Sequence, residues 1–232
     1  MSIRSNLKKF AITRSIYSLY RTLLTRDFFC RRAKVTNHGY GSYKKMIIGC
    51  NNTIMIGENT RLNSTMFHII GENNHIEIGS NCRVGPNCSF WMEGSNISIT
   101  IGDNTRFTHS VHLNAQENGS SIEIGEDCGF SNHITVRTSD SHAIIDIETG
   151  KRINPALPVK IGNHVWICPD SKIMKGAIIG DYAIIGSNSI VTKEIPSCCL
   201  AAGMPAKVLK QGIKRTNEDV VFGKYNYGNN KH

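Results

Sequence analysis

Hydrophobic positions recur every six residues between Ile161 and Pro196. A helical face would need apolar residues at i, i+3, i+4 and i+7, whereas one aliphatic residue per hexad favours a short strand followed by a corner. Repetition at so short a period is typical of a parallel β-helix, in which three hexads close one coil and stacked coils bury the aliphatic side chains. The leading aliphatic residues of the six hexads are Ile161, Ile167, Ile173, Ile179, Ile185 and Val191.

A looser form of the repeat begins at residue 47, where Ile-Gly pairs recur at spacings that include 22–23 residues. Asn and Gly are frequent between these pairs and tolerate the positive φ that tight corners require. The sequence therefore predicts a mostly β protein whose solenoid of hexapeptide repeats spans residues 47–203. The corner residues are Asn51, Asn52, Asn73, Asn74, Asn104, Asn118 and Gly119.

The two flanks of the solenoid are expected to differ from it. Residues 1–46 are predicted to form a basic amphipathic helical segment, with apolar side chains at helical spacing over residues 3–28, and an irregular connector over 35–46. The apolar face of this helix could cap the first coil or lie on an anionic membrane surface. Residues 204–232 are predicted to form a short helix beginning near Lys207 and a tail.

A polar insertion interrupts the hexads over residues 137–160. Long loops in a regular scaffold are often functional, and this one begins with Ser139-Asp140-Ser141-His142. Histidine titrates near neutral pH and can accept a proton from a hydroxyl group, and a nearby carboxylate can orient its ring. Side chains two residues apart in an extended chain point to opposite faces, so a direct Asp140–His142 contact requires a kink.

The net charge of +9 is concentrated at the N-terminus. Residues 1–34 contain nine Lys and Arg residues and a single acidic residue, Asp27. Nucleic-acid binding would need a basic surface interleaved with aromatic residues on the folded platform. The repeats lack this pattern, so no nucleic-acid partner is expected.

The eight cysteines show no CxxC or zinc-like spacing. Cys82, Cys88 and Cys128 occupy the fifth position of hexads and are interpreted as small core residues, as expected in a reducing compartment. No apolar stretch approaches the length of a membrane span, and a secretory signal is not recognised. These features predict a cytoplasmic protein, which the basic N-terminal segment could bring to the inner face of the membrane.

Four segments carry a family resemblance: TSDSH-AIIDIETGKRIN, VKIGNHVWI, IIGSNSIVTKEIP and AAGMPAKVLK. With them, residues from about 47 to 213 resemble the hexapeptide-repeat acyltransferases with a left-handed β-helix. The resemblance is closest to the enzymes that O-acetylate capsular and lipopolysaccharide sugars. It implies acetyl-CoA as donor, a carbohydrate acceptor, no metal, and a homotrimer with active sites between subunits.

The resemblance also implies roles for individual residues. His142 would be the catalytic base and Trp166 would lie beside the active site, while Asp140 is the candidate carboxylate close to His142 in sequence. Backbone groups of extended strands can hydrogen-bond the pantetheine arm of CoA, and lysine cations can bind its phosphates. The donor contacts would be Pro169, Ser187, Thr192, Lys193, Lys207 and Lys210. The acceptor contacts would be His109, Asn114, Arg152 and Asn154.

Two positions depart from the family pattern. Cys168 occupies the position of the Gly in the common VWIG motif, and Met204 occupies the position of the Asn in the common GNPA motif. Cys168 is small enough to leave room for a thioester arm. It is not assigned a nucleophilic role, because the family transfers the acyl group directly.

Three other functions remain open from the sequence. The acceptor could be a small molecule, such as a nucleotide-linked amino sugar, an antibiotic or serine. The scaffold could be a metalloenzyme of the γ-carbonic anhydrase kind, for which His109, His112 and His133 are candidates with unsuitable spacing. The repeats could also be a non-enzymatic scaffold, in which case His142 would have no catalytic role.

Overall fold

The computed structural model describes residues 33–216, and its regular elements there are all β-strands. The early strands are separated by tight corners, and after the loop the strands shorten to two or three residues. The strands are β1 Lys34–Asn37, β2 Tyr40–Ile48, β3 Thr53–Ile56, β4 Arg61–Ile70, β5 His75–Ile78, β6 Arg83–Val84, β7 Ser89–Glu93, β8 Ser98–Ile101, β9 Arg106–Gln116, β10 Ser121–Ile124, β11 Gly129–Arg137, β12 Val159–Ile161, β13 Trp166–Ile167, β14 Lys172–Ile173, β15 Ile178–Ile179, β16 Ile184–Ile185, β17 Ile190–Val191, β18 Cys199–Gly203 and β19 Ala206–Gln211.

These strands wind into a parallel β-helix with three faces. In the described residues the first face is a seven-stranded sheet in the order β1-β3-β5-β8-β10-β12-β15. The long strands β4, β9 and β11 bend and supply the second and third faces together. Elsewhere these two faces are built from separate short strands. The second face contains β6, β13, β16 and β18, and the third face contains β7, β14 and β17.

The register of the ladders confirms the repeat read from the sequence. Thr53 pairs with His75, 22 residues later. After the inserted loop the advance falls to three hexads, so that Lys160 pairs with Ile178 and Lys172 with Ile190. The early coils are longer because their corners contain extra residues.

The leading aliphatic residue of every hexad points into the prism. All six leading residues between Ile161 and Val191 are buried, with at most 3% exposure. Burying each such side chain contributes roughly 1.5–3 kcal/mol. Because a two-residue strand buries little alone, stability comes from the ladders between coils.

Four of the seven predicted corner residues, Gly119 among them, adopt the predicted positive φ. Asn51, Asn73 and Asn104 have φ values of 55°, 57° and 61°. At the inner side of the corner, the buried amide of Asn52 donates to Gly71 O and accepts from the backbone N–H of Asn74. These side chains satisfy backbone groups that the turning chain leaves unpaired.

Cys82, Cys88 and Cys128 line the buried interior as free thiols, each with 1% exposure. Burial raises the pKa of Cys88 to about 11 and that of Cys128 to about 12, because a thiolate is poorly solvated there. Their interpretation as small core residues is confirmed.

Two predictions about the flanks were wrong. The connector expected over residues 35–46 is the first coil, formed by β1 and β2, so the solenoid begins before residue 47. The expected helix at Lys207–Lys210 is instead β19, which pairs antiparallel with β18. The last coil would otherwise leave the edge of β18 open, and pairing satisfies its backbone groups.

The predicted N-terminal amphipathic helix falls on residues 1–32, outside the described residues. Within residues 33–216, no helix has the length and apolar character needed to cross a membrane.

Candidate active site

The inserted loop leaves the prism at the corner between the third and first faces. β11 ends at Arg137 and β12 begins at Val159. The loop folds back on itself through an antiparallel bridge between Ile145 and Arg152. Its turn is closed by Asp146 Oδ1, which accepts from both the backbone N–H and the hydroxyl of Thr149 at 2.7 Å. The loop is therefore a defined hairpin over the corner.

Asp140 is held by partners from outside its own motif. Lys175 Nζ donates to Asp140 Oδ2 at 2.6 Å, and Asn154 Nδ2 donates to the same oxygen at 2.8 Å. The hydrogen bonds from Lys175 and Asn154 lower the pKa of Asp140 and keep it ionised. The side-chain hydrogen bonds of Asp140 within residues 33–216 go to these two residues and not to the His142 ring.

Asn154 clamps the backbone of the hairpin. It is 7% exposed. Its Nδ2 also donates to the backbone O of His142 at 2.9 Å, and its Oδ1 accepts from the N–H of Ile144 at 2.7 Å. The backbone on both sides of Ala143 is thus fixed, while the side chain of His142 is exposed to solvent. This arrangement leaves the imidazole accessible from solvent.

Arg152 anchors the hairpin to an earlier coil. Its guanidinium donates to both carboxylate oxygens of Glu117, at 2.6 and 2.7 Å. Ser139 Oγ donates to Glu117 at 2.6 Å. Arg152 and Asn154 therefore have clear roles within the chain, and their contact with an acceptor stays a prediction.

The Glu117–Arg152 anchor gives a pH-dependent prediction. The hydrogen bond from Arg152, with that from Ser139, lowers the pKa of Glu117 from its ordinary value of 4.5 to about 2. A carboxyl whose pKa is lowered on folding contributes stability above the unfolded-state pKa, and this stability is lost as the pH falls through the folded-state pKa. The anchor should therefore weaken between pH 4.5 and about 2.

A carbon-13 NMR titration of the Glu117 carboxyl is expected to give a midpoint near 2. In an Arg152→Gln variant the midpoint should move back toward 4.5. A midpoint near 4.5 in the unmodified protein would contradict the anchor.

Trp166 lies on the second face, in strand β13, and is 36% exposed. Its indole Nε1 donates to Ser131 Oγ at 3.4 Å. The loop with His142 belongs to the corner between the third and first faces. Within one chain the two residues therefore lie on different parts of the prism, and the expectation that Trp166 lies beside an active site between subunits stays a prediction.

The predicted donor contacts divide between two parts of the prism. Thr192 and Lys193 occupy the same corner as the loop, one coil beyond Lys175. Pro169 and Ser187 lie at the corner between the second and third faces, where Pro169 O accepts from the N–H of Asn188. Lys207 and Lys210 are exposed on β19, which extends the second face.

The predicted acceptor contacts His109 and Asn114 are also separated. His109 lies at the corner between the second and third faces, with its ring centroid 5.1 Å from that of His133. Asn114 points outward on the third face, in register with Arg137 at the start of the loop. Of this pair, only Asn114 lies next to the start of the loop that carries His142.

The histidines proposed for a metal site do not form one within this chain. His112 bonds to Ser89 Oγ through Nδ1 at 2.8 Å, whereas His109 and His133 contact each other. Across residues 33–216, no three His, Cys, Asp or Glu side chains are grouped so that they could hold a metal ion.

Sequence reasoning missed Lys175 and Glu117. Lys175 is 35 residues from Asp140, and Glu117 is 35 residues from Arg152. Each contact joins the loop to a different coil, Glu117 from the coil before it and Lys175 from the coil after it. The coil register, with the loop treated as an insertion, is the signal that could have placed Lys175 beneath the hairpin.

The sequence and the fold are similar to those of known transferases. The family described as bacterial transferase hexapeptide (six repeats) matches residues 158–193. The polysialic acid O-acetyltransferase of Escherichia coli O1:K1 / APEC is 44% identical over 77 residues, which cover 33% of this chain and 25% of the relative. The galactoside O-acetyltransferase of Escherichia coli strain K12 is 46% identical over 56 residues, which cover 24% of this chain and 28% of the relative. The chain thus spans only about a quarter of the length of each.

The structural similarity extends over most of the described chain. The solved structure of the polysialic acid O-acetyltransferase OatWY superposes with a TM-score of 0.73 and 26% sequence identity. The superposition covers 83% of this chain and 92% of that chain. The likeness therefore includes the early, longer coils as well as the regular hexads, and it agrees with the predicted left-handed β-helix.

Proposed function

We propose that this chain, which is similar to the bacterial hexapeptide-repeat transferases, transfers the acetyl group of acetyl-CoA to a sugar hydroxyl of a bacterial surface polysaccharide, of capsule or lipopolysaccharide. The observation that carries the proposal is the hairpin that holds the backbone of His142 and leaves its side chain exposed. The similarity to polysialic acid O-acetyltransferases supports a polymeric carbohydrate acceptor.

In the proposed reaction His142 is the general base. Its imidazole takes the proton of a sugar hydroxyl while the oxygen attacks the thioester carbonyl carbon. The carbon–sulfur bond then breaks, and the departing CoA sulfur receives the proton from the imidazolium. A backbone N–H near the cleft would stabilise the oxyanion, a contribution of roughly 3–4 kcal/mol when well aligned.

Direct transfer requires no covalent enzyme intermediate. Burial raises the pKa of the Cys168 thiol, which disfavours the thiolate that a nucleophile needs. This supports the assignment of Cys168 as a small residue that leaves space for the thioester.

The active site is proposed to lie between copies in a homotrimer. A cleft between two copies would set the edge that carries His142, Thr192 and Lys193 against the part of a neighbour that carries Trp166 and Pro169. The separation of Trp166 from His142 within one chain supports this assembly. We propose a cytoplasmic location, with the basic residues within 1–34 as the contact to the inner face of the membrane.

The proposed function is tested with an acceptor panel. Purified protein with acetyl-CoA is expected to release CoA and to acetylate a de-O-acetylated capsular or lipopolysaccharide glycan, detected by mass spectrometry. Chloramphenicol, serine and a nucleotide-linked amino sugar complete the panel. Acetylation of a small free amine, with every glycan left unmodified, would overturn the polysaccharide proposal.

A further inference from the structure

The outward side chains of the third face form a groove of about 560 Å³ that runs along several coils. It reaches Ser141, the residue before His142. Three of its lining residues, Trp91, Asn114 and Arg137, occupy successive strands in register, and the buried His68 continues this row behind Trp91. Neighbouring strands are about 4.8 Å apart, so the three lining residues span about 10 Å.

Trp91 is held as a rigid platform at the end far from the loop. Its ring stacks on that of His68, with centroids 3.5 Å apart and planes 6° from parallel. His68 is 4% exposed, and burial lowers its pKa, with the carboxylate of Glu93 acting against this effect. The neutral ring is thus held behind Trp91 by stacking.

The stack leaves a buried polar atom unsatisfied. Within residues 33–216, His68 Nε2 has no hydrogen-bond partner, and a carboxylate oxygen of Glu93, Oε1, is 3.8 Å away. A buried ring nitrogen without a partner is destabilising. The cost falls on His68, whose stacking on Trp91 fixes the indole ring at this end of the groove.

Between Trp91 and the loop the groove offers hydrogen-bonding groups. The side-chain amide of Asn114 makes no hydrogen bond within residues 33–216, so its donor and acceptor are free for a ligand. Gln116 donates to Glu93 at 2.7 Å and accepts from Ser141 Oγ at 2.8 Å. The second contact connects the groove wall to the residue before His142.

The charges of the groove offset one another. Glu93 is its one carboxylate and Arg137 its one guanidinium. His112 also lines the groove, and its pKa is lowered by burial and by His133. The wall is thus an aromatic platform followed by amides and hydroxyls, with no net charge.

We propose that this groove binds the acceptor as an extended oligosaccharide, with one sugar stacked on Trp91 and a hydroxyl further along the chain at His142. This inference rests on the proposed function. The apolar face of a sugar ring packs on an aromatic ring, and amides and hydroxyls match its hydroxyl groups. A polyanion held mainly through its charges would need an excess of cations. The acceptor is therefore recognised through its hydroxyl groups over several sugar units.

The test is a binding measurement without acetyl-CoA. Trp91 and Trp166 are the two tryptophans of the chain, so a Trp166→Phe protein reports on Trp91 alone by fluorescence. It is titrated with neutral bacterial oligosaccharides and oligosialic acids of one to six sugars. Affinity for at least one neutral series is expected to rise with length and to change little with salt.

Two variants at one position separate stacking from folding. Trp91→Leu is expected to weaken hexasaccharide binding at least about fivefold, measured by calorimetry, whereas Trp91→Phe keeps a ring and should retain most of the affinity. The control is Thr100→Ala, which changes an outward side chain on the first face and should leave binding unchanged.

Several outcomes would overturn the inference. These are equal affinity for one sugar and six, no binding to any oligomer, unchanged binding in Trp91→Leu, or binding only to oligosialic acid that disappears in high salt. Because no donor is present, these outcomes are independent of acetyl transfer. If the groove binds no oligosaccharide, the proposed function still stands. If an oligosaccharide binds but is not acetylated in the acceptor panel, only the proposed acetyl transfer is overturned.

Discussion

A His142→Asn variant is expected to lose about 10³-fold in kcat for acetyl transfer while keeping its fold. A positioned general base contributes about 10²–10⁴-fold to such reactions, and asparagine cannot accept the proton. The contact that fixes this residue is made by its backbone carbonyl with Asn154, so the substitution leaves the clamp in place. The loss should therefore report on proton transfer.

The measurement is the rate at which acetylated glycan forms, followed by mass spectrometry at saturating acetyl-CoA. The matched control is His75→Asn, because His75 lies on the first face and, among the described residues, its side chain bonds only to Thr53 and Glu77. Its activity should equal that of the unmodified protein. Full activity in His142→Asn would remove the proposed mechanism, whichever acceptor is used.

The second large effect is expected from Lys175→Met, which should lower kcat by about 10²-fold. The lysine holds Asp140 at 2.6 Å, and Asp140 in turn bonds to the Asn154 amide that fixes His142. Methionine retains an unbranched apolar side chain but removes the cation. Without it the hairpin loosens, and a displacement of about 1 Å at a reacting group can cost about 10² in rate.

Kinetics and a second variant separate positioning from loss of structure. The KM for acetyl-CoA should stay near its original value while kcat falls, and Lys175→Arg should restore part of kcat. The control is Lys160→Met, which removes an exposed pair with Glu123 at 3.4 Å, of a kind worth about 0–1 kcal/mol. An unchanged kcat in Lys175→Met would show that Lys175 does not position the hairpin.

The architecture could be predicted because its determinants are local. Most hexads supply their own inward apolar residue, and most early corners supply their own Asn or Gly. Asn73, for example, takes φ 57° in a corner inferred from the Asn-Asn pair alone. In a solenoid each coil contacts mainly its neighbours, so a sequence period translates directly into a spatial period.

Predictions at the two ends of the solenoid were wrong where this period is absent. The segment around Tyr40 and Tyr43 lacks the Ile-Gly signature, yet it pairs with β4 because the second coil needs a neighbour on that side. Lys207–Lys210 could be a helix by composition. It is a strand because the last coil presents an open edge that β19 covers. Both results depend on what an adjacent element leaves unpaired.

Only part of the candidate site could be predicted from the sequence. His142 was found from its position in a polar insertion and from the family resemblance. The local motif placed Asp140 near it, but the carboxylate is engaged by Lys175, and the function of Asn154 as a clamp was not foreseen. The groove past Trp91 was missed because its wall is assembled from four strands.

The sequence by itself determined the hexapeptide solenoid, its buried aliphatic ladder, its Asn corners and the loop that carries His142. Each of these follows from residues within one repeat. The tertiary structure alone decided what holds the loop and what lies before it: the ion pair of Lys175 with Asp140, the anchor of Arg152 on Glu117, and the row from His68 to Arg137. The physical reason is the stacking of coils, which brings side chains from successive coils into contact about 4.8 Å apart.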